Sequence, residues 1–96
     1  MSAVSYWIYI LASRKNGTLY VGVTNNLRVR LGQHRNGHGS EFVRKYLVHR
    51  LVHVEEFALP LDAIAREKQI KNWWRAWKIE LIEKENPDWS DLSRLL

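Results

Sequence analysis

Tyr6-Trp7-Ile8-Tyr9-Ile10-Leu11-Ala12, Ser13-Arg14-Lys15-Asn16-Gly17 and Thr18-Leu19-Tyr20-Val21-Gly22-Val23 follow one another near the start of the chain. Two β-branched and aromatic runs flank Asn16-Gly17. Both of those residues tolerate positive φ, and the pattern is the strongest short-range hairpin signal a sequence offers. Strand, turn, strand is therefore expected over Tyr6–Ala12 and residues 18–23. Alternation places Trp7, Tyr9 and Leu11 on one face of the first strand, and Tyr20 with Gly22 on one face of the second. Aromatic side chains in strands ordinarily pack into a core. Gly22 is less ordinary, because a glycine inside a strand often marks the close approach of another group.

Downstream of the hairpin, Thr24, Asn25 and Asn26 offer caps for a helix running to about Arg35. The stretch Asn36-Gly37-His38-Gly39 stops it. Residues 40–46 suit a short helix. Residues 47–57 read as a third strand, with Val48, Val52 and Val54 on one face and His49, Leu51 and His53 on the other. Pro60 fits the first turn of the longest helix, about 61–77, and a further helical stretch reaches about Glu85. Ala63, Ile70, Trp74, Trp77 and Leu81 recur at helical spacing and are expected to face the core. Asn86-Pro87 ends the run, and the tail is expected to fold back through Trp89 and Leu92. The expectation is an α+β fold: a small, three-stranded, mainly antiparallel sheet flanked by helices, in the order β-β-α-(α)-β-α-α. Its 96 residues suit one domain, with a core over about 6–85 and a tail over 86–96.

Composition limits the function classes. The chain is 46% hydrophobic with five Trp and four Tyr, enough apolar surface to order itself. It has no cysteine, which excludes disulfide scaffolds, thiolate zinc sites and thiol nucleophiles. Residues 1–5 lack the basic region of a signal peptide, and the apolar run 6–12 is too short to span a bilayer, so a cytoplasmic setting is expected. Fifteen Lys and Arg against ten Asp and Glu favour a polyanionic partner.

Several residues sit where chemistry and packing compete to explain them. Glu67 falls on the inward stripe of the long helix, where a carboxylate needs a positive partner. It is either the i,i+4 partner of Lys71, an interaction worth a few tenths of a kcal/mol, or a ligand for a hard cation such as Mg²⁺. On the first helix Leu27, Leu31 and His34 share a stripe with Arg30 close beside it. Arg30 either snorkels at the core edge or presents its planar fork to a phosphate. His34 either packs at the helix end or holds a phosphate oxygen. Tyr9 and Tyr20 are core aromatics or, if the pKa of the phenol is lowered, groups able to accept a proton from a metal-bound water. His49 and His53 stand roughly 13 Å apart along an extended strand, too far to share one metal.

Taken together, the pieces resemble the GIY-YIG nuclease superfamily, in particular its short stand-alone bacterial members of the UPF0213 kind. Trp7-Ile8-Tyr9 is similar to the first motif, with Trp in place of Gly, and Tyr20-Val21-Gly22 to the second. The two tyrosines are eleven positions apart. The stretch from Asn26 to His34 resembles the helix that bears the family's arginine and histidine, here Arg30 and His34. Arg28, two residues earlier, fits the arginine position less well. Ala65-Arg66-Glu67-Lys68-Gln69-Ile70-Lys71 resembles the glutamate helix, and Asn86-Pro87-Asp88-Trp89 resembles the closing segment of short members.

The resemblance implies a DNA endonuclease using one Mg²⁺ or Mn²⁺ ion, with Tyr9, Tyr20, Arg30, His34 and Glu67 as the catalytic set. Glu67 would hold the metal and Arg30 would stabilise charge on the phosphate. Tyr9 would help deprotonate water, Tyr20 would orient water or phosphate, and His34 would assist as a hydrogen-bond partner. Arg28, Arg44, Lys45, Lys71 and Asn86 are the candidate contacts to nucleic acid, Asn86 serving equally well as a helix terminator. Nothing resembles a recognition helix, so selectivity is expected to come from branched or otherwise structured DNA, or from a protein partner. Two other readings stay open: a non-catalytic nucleic-acid-binding module, and a protein-interaction domain docking through Trp73-Trp74-Arg75-Ala76-Trp77.

Overall fold

A computed structural model describes residues 4–96; the first three residues, part of the 1–5 segment considered above, lie outside the described residues. The hairpin forms from β1 (Tyr6–Ala12) and β2 (Leu19–Thr24), paired antiparallel with Tyr9 opposite Gly22 and Leu11 opposite Tyr20. Asn16 takes the left-handed conformation in the turn, at φ 60°, and the Ser13 amide donates to the Thr18 carbonyl at 3.0 Å. Then α1 (Leu27–Arg35) starts where the Asn26 carboxamide accepts from the Val29 amide at 3.2 Å. It buries Leu27, Leu31 and His34. Gly37, at φ 78°, turns the chain toward α2 (Glu41–Tyr46), capped by Ser40.

The third strand, β3 (Arg50–Phe57), begins three residues later than the sequence suggests. Leu47 adopts a left-handed conformation to close α2, so it cannot start a strand. β3 pairs antiparallel with the free side of β1, giving the sheet order β2-β1-β3. Its register slips once: Ile10 faces His53 while Leu11 faces Leu51, leaving Val52 as an extra residue. This bulge overturns the expected two-faced split of the strand. Leu51 and Val48 enter one hydrophobic cluster with Val54 packed against it, while Val52 turns into the opposite cluster.

Both sheet faces are covered, which is why β1 is buried from Ile8 through Ala12 without alternation. On one face α3 (Pro60–Lys71) and α4 (Arg75–Glu85) deliver Ala63, Ile70 and Ile82 against Ile8, Ile10, Ala12, Val21 and Val52. On the other, Leu27 and Leu31 of α1 and Val43 of α2 meet Tyr9 and Leu11.

The expected long helix over 61–77 is divided. α3 ends at Lys71, where the Asn72 amide points to the carbonyls of Lys68, Gln69 and Ile70, and Trp74 is extended at φ −57°, ψ 147°. The redirected α4 brings Arg75 to the hairpin turn, where its Nη2 donates to the carbonyls of Asn16 at 2.8 Å and Gly17 at 2.6 Å. The break also corrects the core stripe. Ala63 and Ile70 are buried, but Trp74 is 72% exposed and Trp77 50%.

The tail is part of the core. Trp89 is fully buried at φ 55°, and its Nε1 donates to Glu83 at 2.8 Å. Asp91 accepts from the Leu51 amide at 3.2 Å, covering a donor on the exposed edge of β3. Among the described residues no helix is long and apolar enough to cross a membrane.

Candidate active site

The hairpin and α1 meet at Tyr9 and His34. The Tyr9 hydroxyl lies 2.8 Å from Nε2 of His34, and both side chains are buried. Gly22 makes room for this contact, since a Cβ there would collide with Cζ and Oη of Tyr9 across the strand pair. Gly39 does the same for His34: a Cβ on it would strike Nδ1 of the imidazole. That Nδ1 is buried and has no hydrogen-bond partner among the described residues. Tyr20 completes the aromatic cluster, its ring centroid 5.4 Å from His34 and 6.3 Å from Tyr9.

Charge surrounds the cluster. Burial pushes the Tyr9 phenol well above its ordinary range, helped by the Tyr20 phenol. Arg30 acts against that rise and Glu67 reinforces it, so both charges bear on Tyr9 from α1 and α3. Burial also holds His34 below the usual histidine range, with Arg30 and then His49 pushing the same way. The imidazole is therefore neutral near pH 7, with one ring nitrogen as donor and the other as acceptor.

Glu67 is 14% exposed and its Oε1 lies 3.1 Å from Nζ of Lys71. The structure thus shows the i,i+4 partner, on a carboxylate that is largely buried and whose charge bears on Tyr9. Among the described residues no group of three or more His, Asp or Glu could hold a metal ion. The donor set fits a hard cation bound through one carboxylate, with water and substrate phosphate supplying the rest. Lys71 would have to release the carboxylate, which its flexible, half-exposed chain allows.

Tyr9, Tyr20 and His34 are thus in contact, and the charges of Arg30 and Glu67 bear on Tyr9. Arg28 lies exposed on α1, and Arg44 and Lys45 lie exposed on α2. Asn86 belongs elsewhere. It is buried, and its amide donates to the carbonyls of Val52 at 3.1 Å and Ser90 at 3.0 Å while its Oδ1 accepts from the Ser90 amide. Two more of the chain's cations are engaged internally, Arg35 on Asp91 and Ser93, and Arg75 on the hairpin turn. His53 is buried with Nε2 2.8 Å from Glu55, a packing role.

Sequence reasoning missed two contributors, Gly39 and Phe42. Gly39 reads as a helix breaker, and its role against His34 follows only from the fold. Phe42 and Lys78 join Tyr20, Lys71, Leu19 and Val21 around a cavity of about 290 Å³. Phe42 and Tyr46 at i,i+4 carried a signal, an aromatic pair on so short a helix.

The model of the GIY-YIG catalytic domain matches residues 5–80, a span that includes the whole cluster. The chain belongs to the GIY-YIG family. A UPF0213 protein of Natronomonas pharaonis is 36% identical over 83 residues, 86% of this chain and 96% of that one. Another, from Bacillus licheniformis, is 33% identical over 91 residues, covering 95% and 93%. A UPF0213 protein of Bacillus halodurans, solved by solution NMR, superposes with a TM-score of 0.58 at 26% identity, over 95% of this chain and 96% of that one. Membership in the GIY-YIG family gives the converging side chains a nuclease-like setting.

Proposed function

We propose that this GIY-YIG domain, spanning residues 1–96 as one unit, is a divalent-metal-dependent endonuclease that hydrolyses DNA phosphodiester bonds. The observation that carries this reading is the buried Tyr9–His34 hydrogen bond, set within reach of the charges of Arg30 and Glu67. Glu67 would hold one Mg²⁺ or Mn²⁺ ion, which when bound supplies Lewis-acid polarisation of the phosphate. Arg30 stabilises charge building on the phosphoryl oxygens through its planar fork. Tyr20 orients the water or phosphate.

Tyr9 and His34 act together on the proton. A phenol so raised does not persist as a free phenolate at neutral pH. With Nδ1 protonated, Nε2 of neutral His34 accepts the Tyr9 hydroxyl proton as Tyr9 takes one from the attacking water. The water oxygen bonds to phosphorus as the bond from phosphorus to the leaving oxygen breaks. The electron pair of that bond stays on the leaving oxygen, which takes a proton from solvent. The proton relayed from the water through Tyr9 ends on His34 and returns to solvent before the next turnover. Exposed Arg28, Arg44 and Lys45, with Lys71 once released from Glu67, guide the nucleic-acid backbone.

The test is cleavage of labelled DNA with Mg²⁺ or Mn²⁺ by wild type, Glu67→Ala and Arg30→Ala, each first checked for an unchanged thermal melt. Loss of about 100-fold or more in each variant is expected. Equal rates in all three would sink the reading.

A second reading, a protein-interaction role, draws on one observation. Trp73, Trp77, Glu80, Leu81, Glu83 and Lys84 line an open groove of about 730 Å³. Trp73 and Leu81 pack on the sheet face opposite Tyr9, so a partner seated there would leave the catalytic cluster open. Such a partner would add to the selectivity of the domain.

A further inference from the structure

The aromatic cluster continues beyond Tyr20. The ring of Phe42 lies 6.0 Å from that of Tyr20, tilted 31°, and the ring of Tyr46 lies 4.8 Å from that of Phe42, tilted 47°. A ladder of rings thus leads from His34 and Tyr20 out to solvent. Phe42 is 41% exposed and Tyr46 45%, and neither joins a core cluster. α2 buries only Val43, so its packing does not account for the two rings.

Cations accompany the ladder. Nζ of Lys45 stands 5.4 Å from the centre of the Tyr46 ring. Lys71 and Lys78 line the same open cavity as Tyr20 and Phe42. Burial holds Lys78 below its ordinary range, with Arg75 and Lys71 adding repulsion, so an anion placed there relieves a crowded positive site. Exposed ring faces interleaved with backbone-binding cations are the chemistry of single-strand recognition. In a continuous duplex the base faces are already stacked on one another, and only their edges face the grooves. A ring face therefore selects a base that is unpaired.

We propose that Phe42 and Tyr46 stack an unpaired nucleobase of the strand being cut, while Lys71 and Lys78 hold its adjoining phosphates. The preferred substrate is then a single-stranded or frayed nucleic acid. This rests on the nuclease reading of the same site and assigns its substrate class.

Binding and cleavage are measured separately, on the full chain. Fluorescence anisotropy in EDTA compares a labelled single strand, in deoxy and ribo forms, with its duplex. Wild type is expected to hold at least one of the two single strands about tenfold more tightly than duplex. Phe42→Ala and Tyr46→Ala should each weaken that binding on the order of tenfold and change duplex binding less than about twofold. Phe42→Trp should restore it. A strand whose bases are replaced by abasic sites should bind wild type and Phe42→Ala alike. Unchanged single-strand affinity in both alanine variants, with their thermal melts intact, would overturn the proposal. So would an equal loss on duplex.

Cleavage with Mn²⁺ separates the two readings. If wild type cuts nothing yet the binding pattern holds, the nuclease reading falls and the stacking site stands. If Phe42→Ala cuts single strand and duplex at wild-type rates, the stacking proposal falls and the nuclease stands.

Discussion

Nδ2 of Asn86 donates to the carbonyl of Val52, the bulge residue of β3, across 3.1 Å. The bulge takes Val52 out of step with β1, and a buried carbonyl there needs a donor from outside the ladder. Asn86 supplies it and fastens the tail to β3 at the same point. Asn86→Ala should therefore cost about 2–3 kcal/mol, since it strands a buried carbonyl and removes the contacts to Ser90. Urea denaturation measures this directly. Unchanged stability with selectively weakened DNA binding would instead return Asn86 to the substrate.

Gly22 and Gly39 face the two ends of the Tyr9–His34 pair. Gly22→Ala should displace the Tyr9 ring and Gly39→Ala the imidazole, each destabilising the fold by about 1–3 kcal/mol through overpacking. Cleavage should fall further than stability does, because the hydrogen-bond geometry is lost in molecules that remain folded. Comparing rates well below the melting temperature separates the two effects. Wild-type rates in both variants would show that the pair is not needed in this geometry.

What the sequence made legible was local. Asn16-Gly17 placed the hairpin, and the Thr24-Asn25-Asn26 stretch placed the start of α1, because each signal acts within a few residues. Tyr9, Tyr20, Arg30, His34 and Glu67 were named only through the family whose order and spacing they resemble. The fold puts Tyr9, Tyr20 and His34 in contact, with the charges of Arg30 and Glu67 bearing on Tyr9. The break at Asn72 was not readable. No Gly or Pro marks it, the apolar spacing runs straight through to Trp77, and what redirects α4 is packing and the distant carbonyls of Asn16 and Gly17. The bulge at Val52 was hidden for the same reason: alternation predicts a face only while the register holds, and the donor that satisfies Val52 lies 34 residues downstream. Gly39 against His34 is likewise a contact between segments that no spacing rule encodes.

The buried, neutral His34 predicts an acid limb in stability. Its folded pKa lies below the ordinary 6.5, so the unfolded chain takes up the proton first. Stability contributed by the neutral imidazole is complete above that value and falls as pH drops through it toward the lower folded value. Glu55 and Asp91 act in a second, more acidic window. Burial alone would raise both carboxyls, but hydrogen bonds from Arg66 and His53 hold Glu55 down, and those from Ser93 and Leu51 hold Asp91 down. Their contribution is present above the ordinary carboxylate range and disappears as pH falls below it. Thermal melts from pH 8 to 3 should show both limbs, and His34→Asn should flatten only the first. A first limb that survives His34→Asn would assign it to another group.

Lys71 stands between two uses of Glu67. Its ammonium, 3.1 Å from Oε1, must leave before the carboxylate can serve a cation, and the same ammonium lines the cavity beside Tyr20 and Phe42. Lys71→Ala should therefore lower the Mg²⁺ or Mn²⁺ concentration needed for half-maximal cleavage, on the order of two- to fivefold for a pair whose lysine is half exposed. It should also raise KM for nucleic acid, because a phosphate contact is lost. Lys71→Arg should keep the charge and give a metal requirement close to wild type. Opposite movement of the two constants in Lys71→Ala is the signature of a residue shared between metal site and substrate. If the metal requirement stays fixed while KM alone rises, Lys71 binds substrate only, and Glu67 is open to the cation without it.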